Sequence, residues 1–134
     1  MNISPIGQVH SPLADRSSAP RQGWEGAPGA RLEIHAAFVP GLDGIHPGQD
    51  MWIFTWLHQA QRSVLKLHPR GDTRNPLAGV FATRSPDRPN PIGLHRARVL
   101  TVEEDGWLQV EGLEAIDGTP ILDIKPVIEH SADL

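Results

Sequence analysis

Thirteen prolines and thirteen glycines are spread through the 134 residues, and this punctuation limits the possible folds more than any other feature of the chain. Proline breaks a helix beyond its first turn and glycine weakens a helix interior, so long helices have little room. Between the turn signals lie short runs rich in β-branched, aromatic and other apolar residues, which predict strands at 6–10, 31–38, 51–58, 63–67, 79–82, 94–101, 107–113 and 121–124. Glu104-Asp105-Gly106 and Asp117-Gly118-Thr119-Pro120 are turn signals with a glycine available for positive φ, and the last four strands are expected to form hairpins. Many short strands without alternating helices predict a mainly β fold: a single-domain antiparallel β-barrel with long loops, not a parallel α/β sheet. A short helix fits within 41–49.

The length suits one domain spanning 1–134, with a single hydrophobic core. No apolar run approaches the ~20 residues of a membrane helix, and no basic stretch followed by an apolar one opens the chain. The expectation is a soluble, cytoplasmic protein with no membrane partner. There are no cysteines, which excludes disulfides and thiolate metal sites. The seven histidines are scattered without ligand spacing, so no metal is expected. G-x-G-x-x-G after a strand, a P-loop and a G-x-S-x-G elbow are all missing, which removes the usual dinucleotide, nucleotide and serine-nucleophile readings.

The net charge of −4 conceals a division along the chain. Residues 62–98 carry eight Lys or Arg against Asp72 and Asp87, net +6, whereas from residue 99 onward Lys125 stands against nine acids, net −8. Either a local basic surface exists on an acidic protein, or the two segments neutralise one another across a sheet. Residues 79–100, GVFATRSPDRPNPIGLHRARVL, concentrate the positive charge. Pro86, Pro89 and Pro91 stiffen this stretch, while Arg84, Arg88, Arg96 and Arg98 supply planar donors suited to an anion.

Four places could carry chemistry. His58-Gln59 ends an apolar run and either faces a pocket or caps a strand toward solvent. Arg84 could clamp a carboxylate or phosphate bidentately, or be held in an ion pair with Asp87 or a C-terminal acid. The corner at Asp117, Gly118, Thr119 and Pro120 is a ligand-facing turn or simply a tight turn. Asn90, held before Pro91, could accept a hydrogen bond from an exocyclic amine or merely punctuate the loop. Segment 11–30 shows neither strand nor helix periodicity, and it reads as a loop that is disordered or that orders against a ligand or partner subunit.

Taken together, IGQVHSP at the start, PRQG at 20–23, MWIFTWLHQ at 51–59, GVFATRSPDRPNPIGL at 79–94 and DGTPILDIKPV at 117–127 resemble the TrmO/TsaA-like (YaeB-like) S-adenosylmethionine-dependent methyltransferases across nearly the whole chain. The resemblance implies a β-barrel unlike the Rossmann-type methyltransferases. It also implies a homodimer that binds S-adenosylmethionine and methylates N6 of threonylcarbamoyladenosine beside the tRNA anticodon. Cofactor contacts then fall on Pro20, Arg21, Gln22, His58, Gln59, Arg84, Leu94, Asp117, Gly118, Thr119 and Pro120, with Arg84 and Asn90 as substrate-positioning residues and Arg88 and Arg70 as further candidates on the acceptor side. The additional C-terminal domain of longer members is not expected here, and Gly48-Gln49-Asp50-Met51-Trp52 and Val127 depart from the family pattern. Alternative readings are a methyltransferase for another substrate and a non-catalytic module that binds S-adenosylmethionine or an anion.

Overall fold

The structure, a computed structural model, describes residues 1–14 and 29–129. Six strands close into an antiparallel barrel in the order β1-β2-β7-β6-β3-β8, and two short strands form a separate sheet. The barrel strands are β1 Gly7–His10, β2 Ala30–Ile34, β3 Asp50–Trp56, β6 Ile92–Val102, β7 Trp107–Glu111 and β8 Pro120–Pro126. The satellite pair is β4 Lys66–Leu67 and β5 Ala78–Gly79.

All eight expected strands are present, with corrected limits. The run expected at 31–38 ends at Ile34, because Ala36–Leu42 is a 3-10 helix containing Pro40, which begins before the 41–49 window and overlaps it only at its first two residues. The run at 79–82 divides into a strand residue and a 3-10 turn, Val80–Ala82. Of the hairpins expected among the last four strands, only β6–β7 forms. β5 pairs with β4, and β8 bonds to β1 on one edge and β3 on the other, which closes the barrel and leaves no unpaired barrel edge.

Alternation decides which residues fill the barrel. Along β6, Gly93, His95, Ala97 and Val99 point inward, whereas Ile92, Leu94, Arg96, Arg98 and Leu100 point outward. The inward side chains of the other strands, including Val9, Leu32, Ile53, Leu108, Val110 and Ile121, complete a core in which each is 0–1% exposed. Each such side chain contributes roughly 1.5–3 kcal/mol by leaving water. The β6–β7 turn is closed by Gly106 at φ +93°, whose carbonyl accepts from Ile34 N–H at 2.9 Å.

The register collects one set of strand ends at one rim. Gln8 opposite Pro120, His10 opposite Arg31, Ala30 opposite Val110 and Trp56 opposite Ile92 bring the ends of β1, β3 and β7 together with the starts of β2, β6 and β8.

Candidate active site at the barrel rim

The Asp117 corner is built into this rim. Asp117 N–H donates to Leu13 O at 2.7 Å, Gly118 N–H to Val9 O at 2.7 Å, and Ser11 N–H to Asp117 Oδ1 at 3.0 Å. Thr119 is buried and its hydroxyl donates to Ile116 O at 2.6 Å, while Gly118 at φ +82° makes the reversal that a residue with a Cβ adopts only under strain. The corner is thus strapped to the end of β1, and Asp117 Oδ2 carries no hydrogen bond among the described residues.

His58 and Gln59 lie exposed in the turn that follows β3, closed by Ala60 N–H donating to Leu57 O at 3.0 Å. The next residue but one joins this turn to the proline-rich loop: Gln61 N–H donates to Asp87 Oδ1 at 2.9 Å, and Arg88 N–H donates to Gln61 O at 3.1 Å. The loop carrying Arg84 is therefore fastened to the His58-Gln59 turn.

The four arginines of this stretch have separate fates. Arg88 turns its guanidinium back on its own loop, donating from Nη2 to Thr83 O at 3.0 Å and to Val80 O. This ties the loop together and leaves Arg88 poorly placed as an acceptor-side residue. Arg96 and Arg98 lie on the outer wall and share Asp50, at 2.8 and 3.0 Å, and Arg96 also pairs with Glu129. Hydrogen bonds from Arg96 and then Arg98 hold the Asp50 carboxyl below its usual range. Arg84 is exposed and has no hydrogen bond or ion pair among the described residues; neither Asp87 nor a described acid of the C-terminal half holds it. The basic and acidic segments neutralise each other in part, through Arg96 and Glu129, and Arg84 stands outside that pairing.

Asn90 is also occupied. Its Oδ1 accepts from Arg62 Nη2 at 3.1 Å, and Arg62 further donates to Pro89 O at 2.7 Å while lying over the Trp56 ring. Arg70 is exposed on the 3-10 turn Pro69–Gly71 with φ +57°. Leu94 is 40% exposed on the outer wall, opposite Phe54, and does not face the lumen. Pro20, Arg21 and Gln22 lie outside the described residues; Leu13 and Gly29, on either side of that stretch, are both near the rim.

One polar group near this rim escaped sequence reasoning. His95 is 8% exposed inside the barrel, its Nε2 lies 2.8 Å from Thr55 Oγ1, and its Nδ1 has no hydrogen-bond partner among the described residues. Glu114 Oε1 lies 4.0 Å from that nitrogen. Burial pushes the imidazole down to about 4 from its usual 6.5, so it is neutral near pH 7. The outward-inward alternation of β6 was the available signal, since it puts position 95 in phase with Gly93 and Ala97. Among the described residues no group of three His, Asp or Glu side chains is arranged to hold a metal ion.

The profile of the tRNA-methyltransferase O N-terminal domain matches residues 8–133. The chain belongs to the TrmO family. A crystal structure titled TrmO from Pseudomonas aeruginosa superimposes with a TM-score of 0.76 at 33% identity, covering 100% of this chain and 58% of that one. Another crystal structure of TrmO gives 0.78 at 33% identity, covering 100% of this chain and 60% of that one. The chain thus spans about three-fifths of these solved TrmO structures. An S-adenosyl-L-methionine-binding protein of Archaeoglobus fulgidus is 40% identical over 125 residues, 93% of this chain and 88% of the relative. A further relative, from Methanothermobacter thermautotrophicus, bears the name probable S-adenosyl-L-methionine-binding protein and is 40% identical over 129 residues, 96% of this chain and 91% of its own. The closed antiparallel barrel is the fold shared with the TrmO structures. Among the described residues no helix is long and apolar enough to cross a membrane.

Proposed function

We propose that this chain is an S-adenosylmethionine-dependent methyltransferase that methylates N6 of threonylcarbamoyladenosine next to the anticodon of tRNA. The observation that carries the reading is Arg84, without a partner among the described residues, on a loop fastened to the His58-Gln59 turn, at the rim that also holds the Asp117 corner, in a chain of the TrmO family.

The residues present fit the donor molecule. Its carboxylate calls for an unpaired guanidinium, as Arg84 offers, and its amino group or ribose hydroxyls call for an acceptor such as the open Oδ2 of Asp117. When bound, the positive sulfonium supplies an electrophilic methyl group. The chain's own part is placement: an acceptor nitrogen must be held in line about 3 Å from that methyl carbon, and no covalent enzyme nucleophile is required. Rigidity of the loop serves this, since Arg88 and the three prolines leave little freedom to be lost on binding.

The proposal includes a homodimer. Leu94 faces outward in a row with Ile92 and Leu100, each 40–43% exposed, beside the outer faces of Trp52, Phe54 and Trp56 on β3. A contact from Leu94 to the cofactor requires something to close over this outer wall, and a second copy does so. Because Arg88 and Asn90 are engaged by their own surroundings, a methyl acceptor other than threonylcarbamoyladenosine is the second reading.

Calorimetric titration with S-adenosylmethionine tests the cofactor, and methyl transfer to tRNA with and without the threonylcarbamoyl group tests the acceptor. Absence of binding heat rejects the whole reading. Binding without transfer to the modified tRNA rejects the acceptor alone.

A further inference from the structure

Asn90 sits where the proline-rich loop meets the rim, and only the carbonyl end of its side chain is engaged. It precedes Pro91, whose carbonyl accepts from Leu57 N–H at 2.8 Å, and Ile92, which pairs with Trp56 at the rim end of the β3–β6 ladder. On its other side Pro89 O accepts from Arg62 Nε at 2.7 Å. The stretch after β3 thus holds the carbonyls of both flanking prolines, and the backbone of Asn90 has little freedom.

Arg62 fixes the polarity of the Asn90 amide. A guanidinium only donates, so the atom that meets Arg62 Nη2 at 3.1 Å is Oδ1, and the NH2 of the same planar group points to the other side. Arg62 is itself held at three places: Pro89 O, Asn90 Oδ1 and the face of Trp56, whose ring centre lies 5.1 Å from the guanidinium carbon. These bonds use two of its five N–H groups. Among the described residues no carboxylate pairs with Arg62, and Asn90 Nδ2 makes no hydrogen bond. Both side chains are exposed. Side by side they offer free N–H donors and one positive charge, which is the complement of an oxyanion.

We propose that Arg62 and Asn90 form a binding site for an oxyanion of the methyl-acceptor RNA, with Arg62 also holding Asn90 in its donor orientation. The inference rests on the reading of the protein as an RNA methyltransferase. Two groups of that RNA carry the required chemistry: the carboxylate of the threonylcarbamoyl group and a backbone phosphate. Either accepts from the Asn90 NH2 and would be repelled by an oxygen in its place.

Asn90→Asp tests this, because aspartate keeps the size of the side chain and an oxygen toward Arg62 but puts a charged oxygen where the NH2 stood. Binding is read by fluorescence anisotropy on two anticodon stem-loop RNAs, one carrying threonylcarbamoyladenosine and one carrying unmodified adenosine. The dissociation constant for the modified RNA is expected to rise about 30-fold, the scale of a lost hydrogen bond to a charged group. The constant for S-adenosylmethionine is expected to change less than about threefold, and the melting temperature is expected not to fall. A loss confined to the modified RNA assigns the oxyanion to the carboxylate, and an equal loss on both assigns it to a phosphate. Unchanged RNA affinity overturns the proposal, as does a loss accompanied by a lower melting temperature. Nitrogen-15 NMR gives a second readout: the side-chain NH2 signals of Asn90, identified by their absence from Asn90→Asp, are expected to shift when the bound RNA is added, and fixed signals overturn the site. If the unsubstituted protein binds the modified RNA without methylating it, the acceptor reading fails, and the oxyanion site is still decided by the same dissociation constants. If it binds neither RNA, both fail.

Discussion

The backbone N–H of Gln61 donates to Asp87 Oδ1 at 2.9 Å, one of several bonds that join the stretch after β3 to the proline-rich loop before β6. Together with Arg88 N–H on Gln61 O, it clasps Gln61 itself at two points to residues 26 and 27 positions further along the sequence. Replacing Asp87 by Ala removes the side-chain half. The amide of Gln61 should then exchange with solvent about fivefold faster, corresponding to roughly 1 kcal/mol of local stability, while core amides of β3 keep their protection. Unchanged exchange at Gln61 would show that the clasp does not hold the loop.

Arg84 and Arg88 are four residues apart and should respond in opposite ways. Arg84→Ala is expected to leave the melting temperature within about 1 °C of the parent, because exposed side chains without partners contribute little to stability. The same change should weaken S-adenosylmethionine binding about 10-fold or more, the scale of a lost charge-assisted hydrogen bond. Arg88→Ala should lower the melting temperature, since it strips the donors from Val80 O and Thr83 O. Thermal melts and calorimetry on both variants decide; normal cofactor affinity in Arg84→Ala would end its assigned role.

Gly93→Ala should destabilise the barrel by roughly 1–3 kcal/mol, the usual cost of forcing extra volume into a packed interior. The new methyl would press on Thr55 Oγ1 and His95 Nε2 and stand 3.1 Å from Leu57 Cδ2. Denaturant unfolding measures this directly, and a variant as stable as the parent would mean that Thr55 and His95 move apart freely.

Stability should fall as pH drops from about 6.5 to about 4. The folded-state value of His95 is lowered by burial, so between these limits the unfolded chain binds more protons than the folded one, and protonation favours unfolding. Burial is the cause of the lowering, with the Glu114 carboxylate 4.0 Å from Nδ1. The full effect is about 3 kcal/mol, reached near pH 4. The lowered carboxyls of Glu33, Asp50 and Asp72 add their losses only at lower pH, as the acid limb passes below their ordinary values near 4. Equilibrium unfolding of parent and His95→Gln across this window checks the assignment: the slope between pH 6.5 and 4.5 should flatten in the variant.

Much of the barrel was legible because alternation is a local property. The 11 residues of β6 announce their two faces, the Glu104-Asp105-Gly106 turn announces the β6–β7 hairpin, and the Asp117-Gly118 corner carries its own reversal. The partners of β8 were not legible, because closure against β1 and β3 depends on register summed around the barrel and no segment encodes it alone. The arginines show the same limit at the site. Their number and spacing could be read from the chain, but whether each would be paired depended on what folding brought beside it.

The sequence by itself determined a proline- and glycine-punctuated β chain of the TrmO type, with an arginine-bearing loop and an Asp-Gly corner. Those features follow from backbone freedom and side-chain chemistry at single positions. Tertiary structure alone decided that Asp50 takes up Arg96 and Arg98, that Arg88 turns onto its own loop, that Arg84 is left open, and that His95 is buried beside Thr55 and Glu114. Each of those outcomes depends on distances between residues far apart in sequence, and only the closed barrel sets them.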